Sequence, residues 1–397
     1  MKKSYLLFAI CLFISCKKTD LLNAKILYYI EDFRQQGMND YETFKAVYDS
    51  VPSNSTIVFA PKTYIFSHTP IVYKTLNFQG PATLRREDQI TYTLKEPADK
   101  FSNYLILNNH SGIIEGDRFF VTLGQTHNNN TQINFVLKIS GDTLFLNNPL
   151  GKTEDERGTY PAGTSLFKNI NFFWIVGNDL PPYLGCSFNN LTFDGNRDKN
   201  TGSHSWLLNA TIIAVTKNTT EYRSCEFINS PGETIVGHNA DIRNCTFYNI
   251  NGSAFHTSAD KVTWSESEIH SYLSNNIFEN TNQISSSIGG HSEGAITHSN
   301  SGGYYTATHN TFTNVGESVL AGLYPSVSIH DWGTSNITFT GNTIKGAGSL
   351  VRFIAQLPGV IHDVKIQKNT ISGLPGYDWS TELTLWPGII LKDRSGE

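Results

Sequence analysis

The stretches YRSCEFIN (residues 222–229) and IRNCTFYN (242–249) share a pattern that decides the fold. An apolar residue stands three positions before a cysteine, an aromatic residue stands two positions after it, and an asparagine closes each segment. The pattern returns with asparagine in place of the cysteine as LSNNIFEN (273–280) and ATHNTFTN (307–314), and then, without the final asparagine, as FTGNTIKG and IQKNTISG. The recurring positions are Cys225, Cys245, Asn276, Asn310, Asn342 and Asn369.

This pattern predicts a strand, a sharp turn at the asparagine and a second strand. An asparagine tolerates left-handed backbone and its side chain can bond nearby backbone groups, which suits it to such a turn. Because the unit recurs with variable spacing, we expect successive coils of a β-solenoid joined by loops of different length. A β-sandwich is the alternative, but sandwiches do not repeat one turn chemistry six times. Cys225 and Cys245 are then substitutes in an asparagine ladder, without a redox role.

The composition agrees with short strands and excludes one class of function. Only 16% of the residues are charged, while glycine and asparagine are abundant, which favours strands and tight turns over helices. The net charge of -5 argues against a nucleic-acid binder, because such proteins usually present a basic face.

Four segments resemble the right-handed parallel β-helix proteins of the pectate-lyase-like superfamily. NITFTGNTIKG (336–346), VKIQKNTISG (364–373) and LTFDGNRDKN (191–200) are similar to coils of that family. NDYETFKAVYDSVPSNSTIVFAPKTYIF (39–66) is similar to its N-terminal capping segment. The resemblance implies an all-β, right-handed parallel β-helix with a short capping helix. It implies much less about activity, because this fold carries many unrelated functions.

The N-terminus MKKSYLLFAICLFISC has a basic start and an apolar run too short to span a membrane. It resembles a bacterial lipoprotein signal, which implies a signal peptide at 1–15 and a lipid on Cys16. The mature chain would be anchored to a bacterial membrane by that lipid alone, facing the periplasm or the exterior. We predict that 16–397 form one β-helix domain. Alternating strands between about 100 and 170 would form a β-rich excursion from it.

A third strand follows each ladder unit, and it carries the candidate site residues. Aligned on the apolar residues Val236, Phe255, Ile296, Leu320 and Val351, the positions one after and three before should point outward. One predicted outward row is Glu233, Gly252, Glu293, Glu317 and Gly348, and the other is Gly237, His256, Thr297, Ala321 and Arg352. The alternative for the coil between Asn276 and Asn310 is QISSSIG, which would put Gln283 where Glu293 otherwise stands. In the resembling superfamily this sheet commonly floors the substrate groove.

The carboxylate row predicts a glycoside hydrolase. Neighbouring coils lie about 4.8 Å apart, so Glu293 and Glu317 would be adjacent and Glu233 about 10 Å from Glu293. Two carboxyl groups at such spacings are the equipment of retaining or inverting glycosidases. The predicted catalytic residues are Glu293, Glu317 and Glu233, with His256 orienting a carboxyl group. The predicted substrate-binding residues are Arg352, His298, His291, Trp206 and His330.

We therefore expect an endo-acting glycoside hydrolase on an acidic or sulfated polysaccharide. A polysaccharide lyase is the first alternative, with His256 or Tyr272 as base and Arg352 or Lys261 neutralising a uronate. The scarcity of lysine and arginine between residues 250 and 350 favours hydrolysis. A non-catalytic glycan-binding surface protein or adhesin is the second alternative. We expect no cofactor and no zinc site, while calcium binding through Asp194, Asp198 or Asp260 stays an alternative.

Overall fold

The computed structural model describes residues 26–99, 101–122, 131–150, 159–176, 185–200, 211–257, 269–283, 294–299, 304–323, 335–355, 362–373, 384–386 and 389–393. The predicted signal peptide and Cys16 lie outside these residues. Within them, no helix is both long enough and apolar enough to cross a membrane.

A capping helix closes the N-terminal end of the solenoid. Helix α1 (Asp40–Ser50) follows a 3-10 turn (Ile30–Phe33) and begins with a reciprocal cap. The Asn39 side chain accepts from the Glu42 N–H, and the Glu42 side chain accepts from the Asn39 N–H, both at 2.8 Å. The helix buries Phe44, whose ring lies 5.6 Å from Phe173 in the solenoid core. The amphipathic helix thus covers core that the first coil would otherwise leave open to water.

The strands of the described residues form two sheets, one large and parallel except for its last pair, the other small and antiparallel. The 23 strands of the large sheet are β1 (Leu27–Tyr29), β2 (Ser55–Val58), β3 (Thr63–Phe66), β4 (Ile71–Val72), β5 (Leu76–Arg86), β12 (Phe173–Val176), β13 (Ser187–Asp194), β14 (Ile212–Arg223), β15 (Glu226–Ile228), β16 (Ile235–Arg243), β17 (Thr246–Tyr248), β18 (Phe255–Thr257), β19 (His270–Ser274), β20 (Ile277–Glu279), β21 (Gly294–Ser299), β22 (Tyr304–Thr308), β23 (Thr311–Leu323), β24 (Ser335–Thr340), β25 (Thr343–Ala355), β26 (His362–Gln367), β27 (Thr370–Ser372), β28 (Thr384–Trp386) and β29 (Ile389–Asp393). The six of the small sheet are β6 (Thr91–Thr93), β7 (Tyr104–Ile106), β8 (Arg118–Thr122), β9 (Thr131–Ser140), β10 (Thr143–Leu146) and β11 (Ser165–Asn169).

The large sheet winds into a right-handed parallel β-helix, as the sequence predicts. Each coil contributes one strand before the ladder position (first sheet), one after it (second sheet) and one more (third sheet). Strands of successive coils pair in parallel, for example β15 with β17 and β17 with β20, and crossovers between parallel strands are almost always right-handed. Inward residues stack: the ring centroids of Phe227, Phe247, Phe278 and Phe312 follow one another at 4.8, 4.8 and 4.6 Å.

The predicted ladder is confirmed, and both cysteines belong to it. Each ladder residue donates its backbone N–H to the side chain of the next ladder residue. The links are Cys225 to Cys245 (3.4 Å), Cys245 to Asn276 (2.9 Å), Asn276 to Asn310 (2.9 Å), Asn310 to Asn342 (2.9 Å) and Asn342 to Asn369 (2.8 Å). The side chains turn into the stack, where they satisfy backbone groups that the bend takes out of the sheets.

The left-handed residue of this turn is not the ladder residue, so that detail of the prediction was wrong. Positive φ falls one position earlier, at Ser224, Asn244, Asn275, His309, Gly341 and Lys368. A second left-handed row ends each pattern, at Asn229, Asn249, Asn280, Asn314, Gly346 and Gly373. Glycine replaces asparagine in the last two repeats because both residues tolerate this backbone conformation.

We predict that the ladder cysteines and Cys186 resist thiol reagents while the protein is folded. All three are free and buried, and burial raises the pKa of the Cys186 thiol to about 12. A thiol without access or thiolate character reacts slowly. Peptide mapping after iodoacetamide treatment should find these cysteines unmodified in buffer and modified in denaturant. Ready labelling of Cys225 or Cys245 in buffer would contradict their place inside the stack.

The antiparallel sheet forms a second, smaller core beside the N-terminal coils. It starts at Thr91, earlier than the bound of about 100 inferred from the sequence, and packs Leu105, Phe119 and Leu144 against one another. One of its contacts with the solenoid is made by Trp174, whose indole stacks on Phe135 at 5.1 Å between ring centroids. The excursion therefore stands at the third sheet, where β12 begins.

Candidate functional site

The outer face of the third sheet carries a continuous row of paired residues, here called the outer row. Parallel pairing aligns its members one per coil, and none belongs to the main core. The outer row is Ile71, Trp174, Ile213, Val236, His256, Thr297, Ala321 and Arg352. His256, Thr297, Ala321 and Arg352 thus hold equivalent register positions in successive coils, as the sequence predicts.

The register of one coil differs from the prediction. Ile235, not Val236, pairs with Phe255 and faces the main core, while Val236 pairs with His256. Val236 instead forms a separate apolar cluster with Ile213, against which Trp174 packs. Gly237 is therefore not a member of the outer row.

Glu233 occupies a different position from the other glutamates because of this register. It lies two residues before the inward Ile235, whereas Glu317 lies three before the inward Leu320. Strict alternation fails here, because consecutive residues such as Ala254 and Phe255 both enter the core. The predicted row that joins Glu233 to Glu317 is therefore wrong. The backbone bends at this point, and the residue two positions before the inward residue therefore turns outward.

The bend brings Glu233 against His256 of the next coil. Oε1 of Glu233 contacts Nδ1 of His256 within hydrogen-bonding distance. The same diagonal recurs one coil further, where Oγ of Ser253 lies 2.7 Å from Oγ1 of Thr297. The diagonal contact is thus a repeated feature of the solenoid. Between one pair of neighbouring coils, the sequence places a carboxyl group and an imidazole in this contact.

Both members of this pair are buried, which corrects the prediction of an exposed wall. Glu233 is 0% and His256 is 4% exposed. Oε2 of Glu233 is buried and makes no hydrogen bond with any residue that the structure describes. A carboxylate oxygen can only accept, so the contact has Nδ1 of His256 donating to Glu233 when the glutamate is ionised. A buried carboxyl oxygen left without a donor is costly, and function is one reason to retain it.

One arginine contacts the outer row from the excursion, and another is a member of the row. At one end the guanidinium of Arg118, from β8, lies 4.3 Å from the Trp174 ring centroid and donates to Asn171 at 2.8 Å. Burial lowers the pKa of Arg118 to about 10, which still leaves it charged at neutral pH. Arg352 occupies the opposite end. His256 lies three coils from Trp174 and three from Arg352, about 14 Å along the row each way.

Other predicted residues have only a partly described position. Glu317, His298 and Arg352 lie on the third-sheet strands β23, β21 and β25. Tyr272 lies on the first sheet, 42% exposed, away from the outer row. Outside the described residues lie Glu293, His291, Trp206, His330 and Lys261. Gln283 follows β20 and does not belong to a third-sheet strand. Its side chain donates to the carbonyl oxygen of Asn314 at 2.9 Å.

Metal ligands do not gather among the residues that the structure describes, where no group of three His, Cys, Asp or Glu side chains could hold an ion. Asp194 instead accepts from the Asn196 N–H and the Asn229 amide, at 3.0 and 3.1 Å. Asp198 is exposed, and Asp260 lies outside the described residues.

Two features of this region were missed from the sequence. Arg118 and Asp117 stand in the GDRFF segment, which reads as an ordinary strand start. Only the fold shows that Arg118 reaches Trp174 and that Asp117 accepts a hydrogen bond from Nδ1 of His68 at 2.8 Å. The one available signal was a buried-strand pattern that opens with two charged residues.

No family model and no curated protein matches the chain. Among solved structures it is similar to the PL6 family alginate lyase AlyGC, with 13% identity and a TM-score of 0.43 over 87% of this chain and 39% of that one. It is also similar to PfbA, a surface adhesin of Streptococcus pneumoniae, with 13% identity and a TM-score of 0.44 over 93% and 82% of the two chains. For a GH87 alpha-1,3-glucanase from Streptomyces thermodiastaticus the values are 11%, 0.31, 92% and 71%. The chain spans about two fifths of the length of the alginate lyase. Likenesses this distant carry no argument about activity.

Proposed function

We propose that the protein is an enzyme that cleaves an acidic polysaccharide within its chain, with His256 as general base and Glu233 as the residue that orients it. The buried contact between Glu233 Oε1 and His256 Nδ1 carries this proposal. A carboxylate hydrogen-bonded to one ring nitrogen fixes the tautomer and the orientation of an imidazole, which is the arrangement that a histidine general base uses. Such a pair is suited to proton transfer rather than to packing.

The residues that the structure describes favour β-elimination over hydrolysis. In that reaction a base removes the proton next to a uronate carboxylate, the bond to the leaving oxygen breaks, and a carbon–carbon double bond forms. Its cost falls when a cation neutralises the carboxylate. Trp174, which contacts Arg118, and the position of Arg352 each lie about 14 Å from His256 along the outer row, so these arginines would attract neighbouring acidic units of a chain rather than neutralise the uronate beside His256. Because Glu233 and His256 are buried, access of a substrate to them requires an opening of the outer face.

Hydrolysis by Glu293 and Glu317 is the second candidate. Gly294 pairs directly with Ser318, and these two residues follow the two glutamates in the sequence. Neighbouring coils lie about 4.8 Å apart, close to the separation that retaining glycosidases use. Glu233 does not serve as the second carboxylate with Glu317, because three coils, about 14 Å, separate their strands.

We predict that cleavage in water enriched in ¹⁸O leaves the new chain ends unlabelled. Elimination takes no atom from water, whereas hydrolysis puts a water oxygen into one product. The measurement is mass spectrometry of oligosaccharides from a panel of uronate and sulfated polysaccharides. Unlabelled products with an unsaturated uronate would support elimination, and labelled saturated products would support hydrolysis. Saturable binding without any product would favour a glycan-binding protein. The lipid anchor at Cys16 stays a prediction, tested by labelling with a fatty acid.

A further inference from the structure

A cavity lies at the N-terminal end of the outer row. It measures about 330 Å³ and is lined by residues of α1, of the turn and strand 69–73, and of the 114–117 turn of the excursion. One lining residue, Ile71, is the first member of the outer row, four coils from His256, or about 19 Å. The cavity is therefore separate from the Glu233–His256 pair. Its volume is at the lower end of the roughly 300–1,000 Å³ of small-molecule sites, so it suits a small ligand rather than a polymer.

Three tyrosines wall this cavity, and contacts hold two of them in place. Tyr48 Oη accepts from the Tyr73 N–H at 2.8 Å, and Lys74 Nζ lies 4.7 Å above the Tyr48 ring. The Tyr41 ring packs on His68 with centroids 4.8 Å apart, and burial raises the pKa of Tyr41 to about 12. Tyr73 is 56% exposed and has no such ring contact among the described residues. It is the ring most available to a ligand.

The opposite wall comes from the excursion and is also tied in place. Asp117 accepts from His68 Nδ1 through Oδ1 at 2.8 Å and from the Ile114 N–H through Oδ2 at 2.9 Å. Asp117 is 4% exposed. One hydrogen-bonded group therefore joins the excursion to the turn after β3. A cavity whose walls are fixed in advance loses little entropy when it binds.

The charges around the cavity select among small ligands. Its ionisable lining groups are Asp49, Glu115, Asp117, Lys45 and the tyrosines, and Lys45 already pairs with Asp49 at 2.5 Å. The lining thus holds three carboxylates and one lysine, while Lys74, beside Tyr48, already donates to the carbonyl oxygens of Tyr48 and Val51. An anionic ligand would meet net repulsion. Aromatic faces beside oxygen acceptors suit a ring with an apolar face and hydroxyl donors.

We infer that this cavity binds a single neutral sugar ring, stacked on Tyr73 and hydrogen-bonded to the carboxylates of Asp49 and Glu115. The site differs in chemistry from the outer row, where Trp174 contacts the Arg118 guanidinium. The inference does not depend on catalysis, because the ligand class follows from the lining of the cavity. A neutral branch or chain end would be its natural source.

Saturation-transfer NMR with the full chain tests this inference. The probes are glucose, galactose and N-acetylglucosamine, with glucuronate and galacturonate as acidic counterparts. We expect saturable binding of at least one neutral sugar and weaker binding of both uronates. The absence of saturable binding for every neutral probe, or equal affinity for a uronate, would overturn the inference. Neither result depends on turnover, so the outcome is independent of the proposed enzymatic activity.

Two variants make the test specific to the cavity. Tyr73→Ala should weaken binding about tenfold through loss of one stacked ring, while it keeps the backbone N–H that holds Tyr48. The control is Tyr248→Ala, which removes an exposed tyrosine (42%) from the second sheet. Asp49→Asn should improve glucuronate binding relative to glucose about threefold, because one repelling charge is gone. Equal effects of the two tyrosine variants would place the bound sugar elsewhere on the protein and overturn the assignment.

Discussion

His256→Asn is expected to lower turnover of the polysaccharide by about 10²- to 10⁴-fold, the usual contribution of a general base. Asparagine keeps a polar group next to Glu233 but cannot take up a proton. Because the loss affects the chemical step, kcat should fall while KM changes little. The measurement is initial rate on whichever polysaccharide gives products, with circular dichroism and urea unfolding to confirm a native fold.

A control variant is available one coil further along the same diagonal. Ser253→Ala removes one hydroxyl from the 2.7 Å contact with Thr297, which repeats the geometry of the Glu233–His256 contact without an ionisable group. Its turnover should stay within a few-fold of wild type. Glu233→Gln, which keeps an acceptor but removes the charge, should fall between the two, again in kcat. Full activity of His256→Asn, or equal losses in His256→Asn and Ser253→Ala, would rule out His256 as the base.

The ladder could be predicted from the sequence because its signal is local and repeated. The eight residues of each unit contain the inward residue of two strands, the ladder residue and the left-handed closing residue. Cys225 and Cys245 could be recognised as ladder members because their neighbours match those of Asn276 and Asn310. The left-handed position one residue earlier was missed because it varies, being Ser224, His309 and Lys368 in different coils.

The Glu233–His256 pair could not be predicted, because it depends on register between coils. Ile235 and Val236 are adjacent apolar residues, and nothing local decides which one enters the core. The decision comes from the neighbouring coils, since Ile235 pairs with both Ile212 and Phe255. A one-residue change of register moves a side chain to the other face. The choice of Val236 therefore assigned Glu233 to the wrong row.

The solenoid and the excursion are built differently, and this difference separates their roles. The solenoid repeats one contact per coil, so its energy is a sum of neighbouring interfaces. The excursion is inserted once and presents Asp117, Arg118 and Phe135 to the N-terminal coils. Such an insertion tolerates changes of sequence that suit a particular substrate. The coils of the solenoid must instead keep the ladder residues. The cavity beside α1 and the cation at Trp174 both come from this single insertion.

Asn310→Ala is expected to destabilise the protein by about 4 kcal/mol. Asn310 is 1% exposed, and its side chain makes four hydrogen bonds. Oδ1 accepts from the N–H and the amide of Asn276, and Nδ2 donates to Leu273 O and Asn342 Oδ1. Alanine leaves two buried backbone groups unsatisfied, at about 1–3 kcal/mol each, and adds a small cavity. Urea unfolding followed by circular dichroism gives the change in free energy.

Two further substitutions separate the ladder from general effects of losing an asparagine. Asn310→Cys should recover about half of the lost stability, because Cys245 shows that a thiol in this position accepts the N–H of the preceding coil. Asn314→Gly should change stability by less than about 1 kcal/mol, since Asn314 is left-handed and exposed and glycine fills the same turn at Gly346 and Gly373. If Asn310→Ala costs no more than Asn314→Gly, the ladder does not stabilise the stack. If Asn310→Cys is no better than Asn310→Ala, Cys225 and Cys245 occupy the ladder without replacing its hydrogen bonds.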